Sequence, residues 1–149
     1  MEMNESMLRS IIEKVLEETL EKKEAPKEDF VKHMDQSGIF SVESATVKCE
    51  PFAGVEGVFL KDVTTLDESP RMGAGIMEID HSDLEWTLTY DEYDVVLEGD
   101  LEIEIDGRIV KGGPGDIVYI PKGSHIHFRS PNKTRYAYFV YPANWWEQK

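Results

Sequence analysis

Two periodicities divide the chain. Over residues 5–22 the apolar positions Leu8, Ile11, Ile12, Val15, Leu16 and Leu20 recur at helical spacing and leave one greasy stripe. Asn4 stands where an N-cap would. The stretch from Glu21 to Asp29 is charged, holds Pro26 and has no apolar period, so it reads as a linker. From about residue 38 the pattern changes to short β-type runs: Thr46 to Cys49, Gly57 to Val63, Ala74 to Ile79, Tyr93 to Leu97, Leu101 to Ile105, Asp116 to Ile120, His125 to Phe128 and Tyr136 to Tyr141. Many short strands at this spacing predict a sandwich or barrel. The expected organisation is an amphipathic helix and linker over 1–37, then one all-β domain over 38–149.

Within the β-type runs the period of two assigns faces. Leu101, Ile103 and Ile105 alternate with Glu102 and Glu104, giving one buried and one wet face, and Asp106-Gly107 supplies the positive φ angles of a tight hairpin turn. Trp86, Leu88, Tyr90, Glu92, Asp94 and Val96 share one parity, so two carboxyl groups are expected to point into an interior with aromatic walls, unless a bulge near Thr89 to Asp91 shifts the register. Three readings of that pair stay open. Repulsion could leave a proton on one carboxyl, giving a general acid beside a general base; the pair could grip magnesium or manganese through oxygen; or backbone amides and facing cations could tie it down structurally. Inward Ile126 and Phe128 would turn His125 and His127 outward, which opposes a histidine metal site. His33 and His81 are isolated.

Charge narrows the partners. The chain has 149 residues and a net charge of −14, which opposes nucleic-acid binding through the phosphate backbone. Glu78 to Gly107 contains twelve acids and no Lys or Arg, whereas Arg108 to Arg135 contains six basic residues and one acid, so cross-strand ion pairs are expected. The single Cys49 sits in a strand-like pattern and reads as a small core residue. No segment approaches the roughly 20 apolar residues of a membrane span, and the acidic start Met1-Glu2-Met3-Asn4-Glu5 is unlike a secretory signal, so a cytoplasmic location is expected. On the helix, Arg9, Lys14 and Lys22 are mixed with glutamates, which disfavours a membrane surface. Its stripe is left to pack on the barrel, in a dimer, or on another protein.

The spacing between Glu92 and Gly123 adds a motif. Glu92, six residues and Gly99 are followed by Gly115, five residues and Pro121-Lys122-Gly123. This resembles the paired signature of the cupin superfamily and implies a single-domain, jelly-roll-like β-barrel. In cupins a His-x-His precedes the glutamate and a further histidine follows the Pro-x-Gly; here those slots hold Trp86-Thr87-Leu88 and Ile126, so no tightly bound metal is expected and Glu92 is the one matching ligand. Gly112-Gly113-Pro114-Gly115 and Gly73-Ala74-Gly75 match neither a Walker loop nor a dinucleotide fingerprint. A phosphate would need Lys61, Arg71, Lys122 or an added cation.

Four stretches carry a closer resemblance: Met72 to Asp80, Trp86 to Gly99, Gly115 to Ser124, and Pro142-Ala143-Asn144-Trp145. Together they are similar to the EutQ family of ethanolamine-utilisation cupins, over roughly residues 46–146, and the helix at 5–22 resembles the segment before the barrel there. Longer members carry an additional N-terminal region. The resemblance implies a homodimer in or near the bacterial microcompartment. It also implies an acetate kinase activity, interconverting acetyl phosphate and ADP with acetate and ATP, with Mg or Mn accompanying the nucleotide. Glu92, Asp94 and Tyr90 are then the candidate catalytic residues, and Trp86, Tyr93, Lys61 and Lys122 the candidate contacts for a small carboxylate or phosphorylated ligand. The alternative is a non-catalytic cupin that binds a small ligand or docks other ethanolamine-utilisation or shell proteins through its helix.

Overall fold

A computed structural model describes residues 5–24 and 30–149. The helical stripe forms α1, Glu5–Glu24, with Leu8, Ile11 and Ile12 exposed. Asn4, the linker residues 25–29 and the side chains of Val15, Leu16 and Leu20 lie outside the described residues.

The β structure begins earlier than residue 38. Phe30 is buried with Val47, Val63 and Ile76, and a small hairpin pairs β1 (Lys32–Met34) with β2 (Phe40–Val42) across the expected boundary. Strands of three residues are too short to announce themselves by alternation. Beyond them Thr46 to Cys49 is not a strand: Ser44–Thr46 is a 3-10 turn. The Thr46 hydroxyl accepts from the Val31 amide at 2.9 Å and donates to the Glu43 carbonyl at 2.7 Å, so it closes a loop that a sheet ladder would have opened.

The main sheet has eight strands: β3 (Glu50–Pro51), β4 (Val58–Asp62), β5 (Gly73–Thr87), β6 (Asp91–Glu98), β7 (Leu101–Ile105), β8 (Arg108–Gly112), β9 (Ile117–Ile120) and β10 (His125–Tyr141). The order is β3-β4-β5-β10-β6-β9, with β7 paired to both β10 and β8. The two runs expected at His125 to Phe128 and Tyr136 to Tyr141 are one strand. Pro131-Asn132 between them is absorbed by a register shift between Ser130 and Lys133, opposite His81, whose φ is +46°. Strand β10 therefore serves both halves of the molecule: it runs beside β5 along its length, beside β6 at residues 135–141 and beside β7 at residues 127–129.

The interior core gathers Val58, Met77, Ile79, Leu84, Leu88, Tyr90, Val96, Leu101, Ile103, Val118, Ile120, Ile126, Phe128, Tyr136, Tyr138 and Val140. A second cluster, Phe30, Val47, Val63 and Ile76, covers part of the outer face, with Cys49 packed against it. There burial pushes the Cys49 thiol up to about 11, so it stays protonated and inert. The segregated charges meet largely across β10: Arg135 pairs with Glu78, Arg129 with Glu102 at 3.8 Å, and His127 with Asp83 at 2.5 Å.

Candidate functional site in the barrel interior

Strand β6 carries the central chemistry. Its alternation turns Glu92, Asp94 and Val96 inward, at 5%, 0% and 1% exposure, as their shared parity predicts. Neighbouring strands flank the two acids mainly with apolar groups: Glu92 lies between Ile120 and Val140, Asp94 between Val118 and Tyr138. Glu92 Oε2 and both oxygens of Asp94 have no hydrogen-bond partner. Burial raises the Glu92 pKa to about 8, and burial followed by the Glu92 charge raises that of Asp94 well above its usual range. The pair thus holds proton at neutral pH, as expected where two buried acids have no cation.

In front of Glu92 is a cavity of about 20 Å³, lined by Phe52, Leu60, Met77, Leu84, Trp86, Tyr90, Glu92, Phe128, Tyr138, Val140 and Trp145. That space suits a water-sized group. Among the described residues Glu92 is the one charged residue in the lining, and no Lys, Arg or His takes part. Four rings close the cavity: Phe52 and Trp86 lie 5.5 Å apart between centroids, Trp86 and Trp145 6.2 Å, and Tyr90 and Trp145 5.5 Å. The Trp86 indole donates to the Tyr90 hydroxyl at 2.8 Å, and the Tyr138 hydroxyl donates to Asp62.

The structure brings Trp86, Tyr90, Glu92 and Asp94 together and leaves three predicted contacts out. Tyr93 is on the outer face of β6, half exposed, with its ring 4.8 Å from that of Tyr119. Lys61 faces away from Leu60 and pairs with Glu50 at 3.4 Å. Lys122 is exposed and contributes its backbone amide to Asp91. For Tyr93 and Lys61 the reason is the same strand alternation that turned Glu92 and Leu60 inward. Sequence reasoning missed Phe52, Asp62, Tyr138 and Trp145. Of these only Trp145 left a signal, at the end of the Pro142-Ala143-Asn144-Trp145 stretch.

A cupin-type metal does not fit this interior. Trp86, Leu88 and Ile126 place carbon where imidazoles would be needed, and among the described residues no group of three His, Cys, Asp or Glu is arranged to hold an ion. His125 points outward, bonded to Thr87 and to Glu85 at 2.8 Å.

The strand order and interior define a cupin-like fold with carbon side chains at the usual metal-ligand positions, and the Cupin_2 domain of a transcriptional regulator from Enterobacter cloacae shares the fold at a TM-score of 0.51 and 20% identity over 58% of this chain and 97% of that one. The family described as ethanolamine utilisation protein EutQ matches residues 3–147, and the chain belongs to it. A Clostridioides difficile protein named acetate kinase EutQ is 41% identical over 97% of this chain and 92% of its own length. A Salmonella typhimurium protein of the same name is 36% identical over 95% of this chain, which spans only 63% of that longer relative. The structure of the C. difficile EutQ protein superposes with a TM-score of 0.76 at 44% identity, covering 81% of this chain and 93% of that one. The Salmonella structure described as an ethanolamine utilisation protein gives 0.73 at 38% identity over 77% and 95%. The chain is thus a EutQ of ethanolamine utilisation.

Proposed function

We propose that this chain is an acetate kinase of the ethanolamine pathway, working as a homodimer associated with the microcompartment. The observation that carries the activity is the likeness, at 41% identity and nearly end to end, to a protein named for it. In the reaction an acetate oxygen attacks the γ-phosphorus of ATP, a P–O bond forms to give acetyl phosphate, and the bond to the β-phosphate oxygen breaks with its electron pair leaving on ADP. Acetate is already ionised at neutral pH, so no general base is required; the demand is for positioning and charge neutralisation. The nucleotide is far larger than the space in front of Glu92 and must sit outside it, with its divalent ion arriving as part of the substrate. ADP release from ATP and acetate, followed with magnesium or manganese, tests the reading. Turnover in wild type that depends on acetate and the divalent ion supports the reading, and no turnover in wild type would end it.

Homodimer formation is supported by an apolar outer face, where Tyr93, Ile117, Tyr119, Phe139 and Tyr141 are exposed on the adjacent strands β9, β6 and β10. A second, non-catalytic role has its own support in the exposed Leu8, Ile11 and Ile12 of α1, the stripe of a helix suited to a groove on a shell or enzyme partner. Removal of residues 1–27 is expected to release the protein from isolated microcompartments, and undiminished co-sedimentation would count against docking.

A further inference from the structure

Glu92 combines three properties that constrain what can meet it. The residue is 5% exposed, its Oε2 has no hydrogen-bond donor, and among the described residues it is the single charged group facing a cavity otherwise walled by rings and aliphatic chains. An anion would find neither donor nor cation there. A divalent ion would need about six hard oxygens, and the lining offers one carboxylate and the phenols of Tyr90 and Tyr138 among carbon. A protonated amine meets the demands together: its N–H groups donate to the Glu92 carboxylate, its charge balances that carboxylate, and aromatic faces replace its water through cation–π attraction. An ammonium head has about the size of a water molecule, which is what a space of about 20 Å³ admits.

We propose that the barrel interior is a binding site for the ammonium head of a small primary amine, with Glu92 as its counter-ion and Phe52, Trp86, Tyr90 and Trp145 as its walls. The carbon tail leaves toward the half-buried edges of Trp86 and Trp145. This goes beyond the kinase reading and does not rest on it, since acetate and ATP are anions and this ligand is a cation. The titratable groups facing Glu92 are Asp94 on its own strand, Tyr90 just before it, and Tyr136 and Tyr138 from β10, with Asp62 of β4 behind Tyr138; strand β9 presents only Val118 and Ile120. Among the described residues no positive side chain lines the cavity or pairs with the carboxylate. In the empty protein the acid pair holds proton, so an arriving ammonium displaces one, and binding tightens as pH rises toward about 8.

The test is calorimetry on the full chain near neutral pH at constant ionic strength, with ammonium chloride, ethanolamine hydrochloride, ethylene glycol and sodium chloride as ligands. Saturable binding of ethanolamine with release of a proton, read by repeating the titration in buffers of different ionisation enthalpy, is expected, together with a change in tryptophan fluorescence and no response to ethylene glycol. Binding of ammonium alone would support the cage and assign it to the free ion. Glu92→Gln is expected to weaken binding roughly tenfold or more, the worth of one charge-assisted hydrogen bond. If that variant does not fold, proton release and pH dependence in the wild type decide the matter. The proposal is overturned by no saturable binding of either amine, by equal binding of ethylene glycol, by binding without proton release, or by a folded Glu92→Gln of unchanged affinity.

Discussion

At Glu92 the pleat of β6 pushes a carboxyl group between Ile120 and Val140, and the neighbour that offsets its burial is not a cation but the equally buried Asp94. The consequence is measurable in stability. A free glutamate ionises near 4.5, and burial pushes this one up to about 8. Between those values the folded protein binds more protons than the unfolded chain, so stability is full below pH 4.5 and falls as pH rises through about 8. Thermal melts across that window should show the decline, and Glu92→Gln should flatten it; a parallel decline in the variant would mean that Asp94 dominates the pair. The parity of residues 86–96 made this carboxyl pair legible in the sequence. Phe52 and Tyr138 were not legible, because each reaches the cavity from a strand or loop whose register with β6 is set by tertiary pairing, and neither was Asp62, which accepts from the Tyr138 hydroxyl behind it.

Turns and strand pairings decide more than propensity at the scale of elements. Gly99, which ends β6, has φ +70°, and a Cβ there would run into the Lys133 carbonyl. Gly99→Ala is expected to destabilise by about 1–3 kcal/mol from backbone strain alone, with more from the collision, read in urea unfolding. Leu88, fully buried beside the β5–β10 ladder, should lose about 2–5 kcal/mol as Leu88→Ala through the cavity left behind. The hairpin at Asp106-Gly107 was legible because its φ angles of +50° and +79° demand that dipeptide. The continuity of β10 was not, since Pro131-Asn132 reads as punctuation until a bulge is found to accommodate it. Strand β8, with four of its five residues exposed, lacks the burial that drives alternation and so left no pattern.

For the whole molecule the governing quantities are a net charge of −14 and the exposed apolar face of β9, β6 and β10. Two copies pairing through Tyr93 and Tyr119 would bring like charge together, so the dimer should strengthen with salt while the apolar contact holds it. Sedimentation velocity should show a dimer in the wild type and a monomer for Tyr93→Glu combined with Tyr119→Glu; an undisturbed dimer would move the interface to another face. The all-β architecture and the helix before it were both legible from periodicity. The boundary between them was not, because Phe30 and the three-residue strands after it carry too little pattern to be seen.

The long strand β10 also fixes an order of events as the protein is made. Strands β5, β6 and β7 all precede it along the chain and all take hydrogen bonds from it. Until it leaves the ribosome, they present open edges and an uncovered acid pair to water. Assembly therefore waits on one late segment whose partners lie dozens of residues upstream, a non-local closure of the kind that folds slowly and rewards the company of a chaperone.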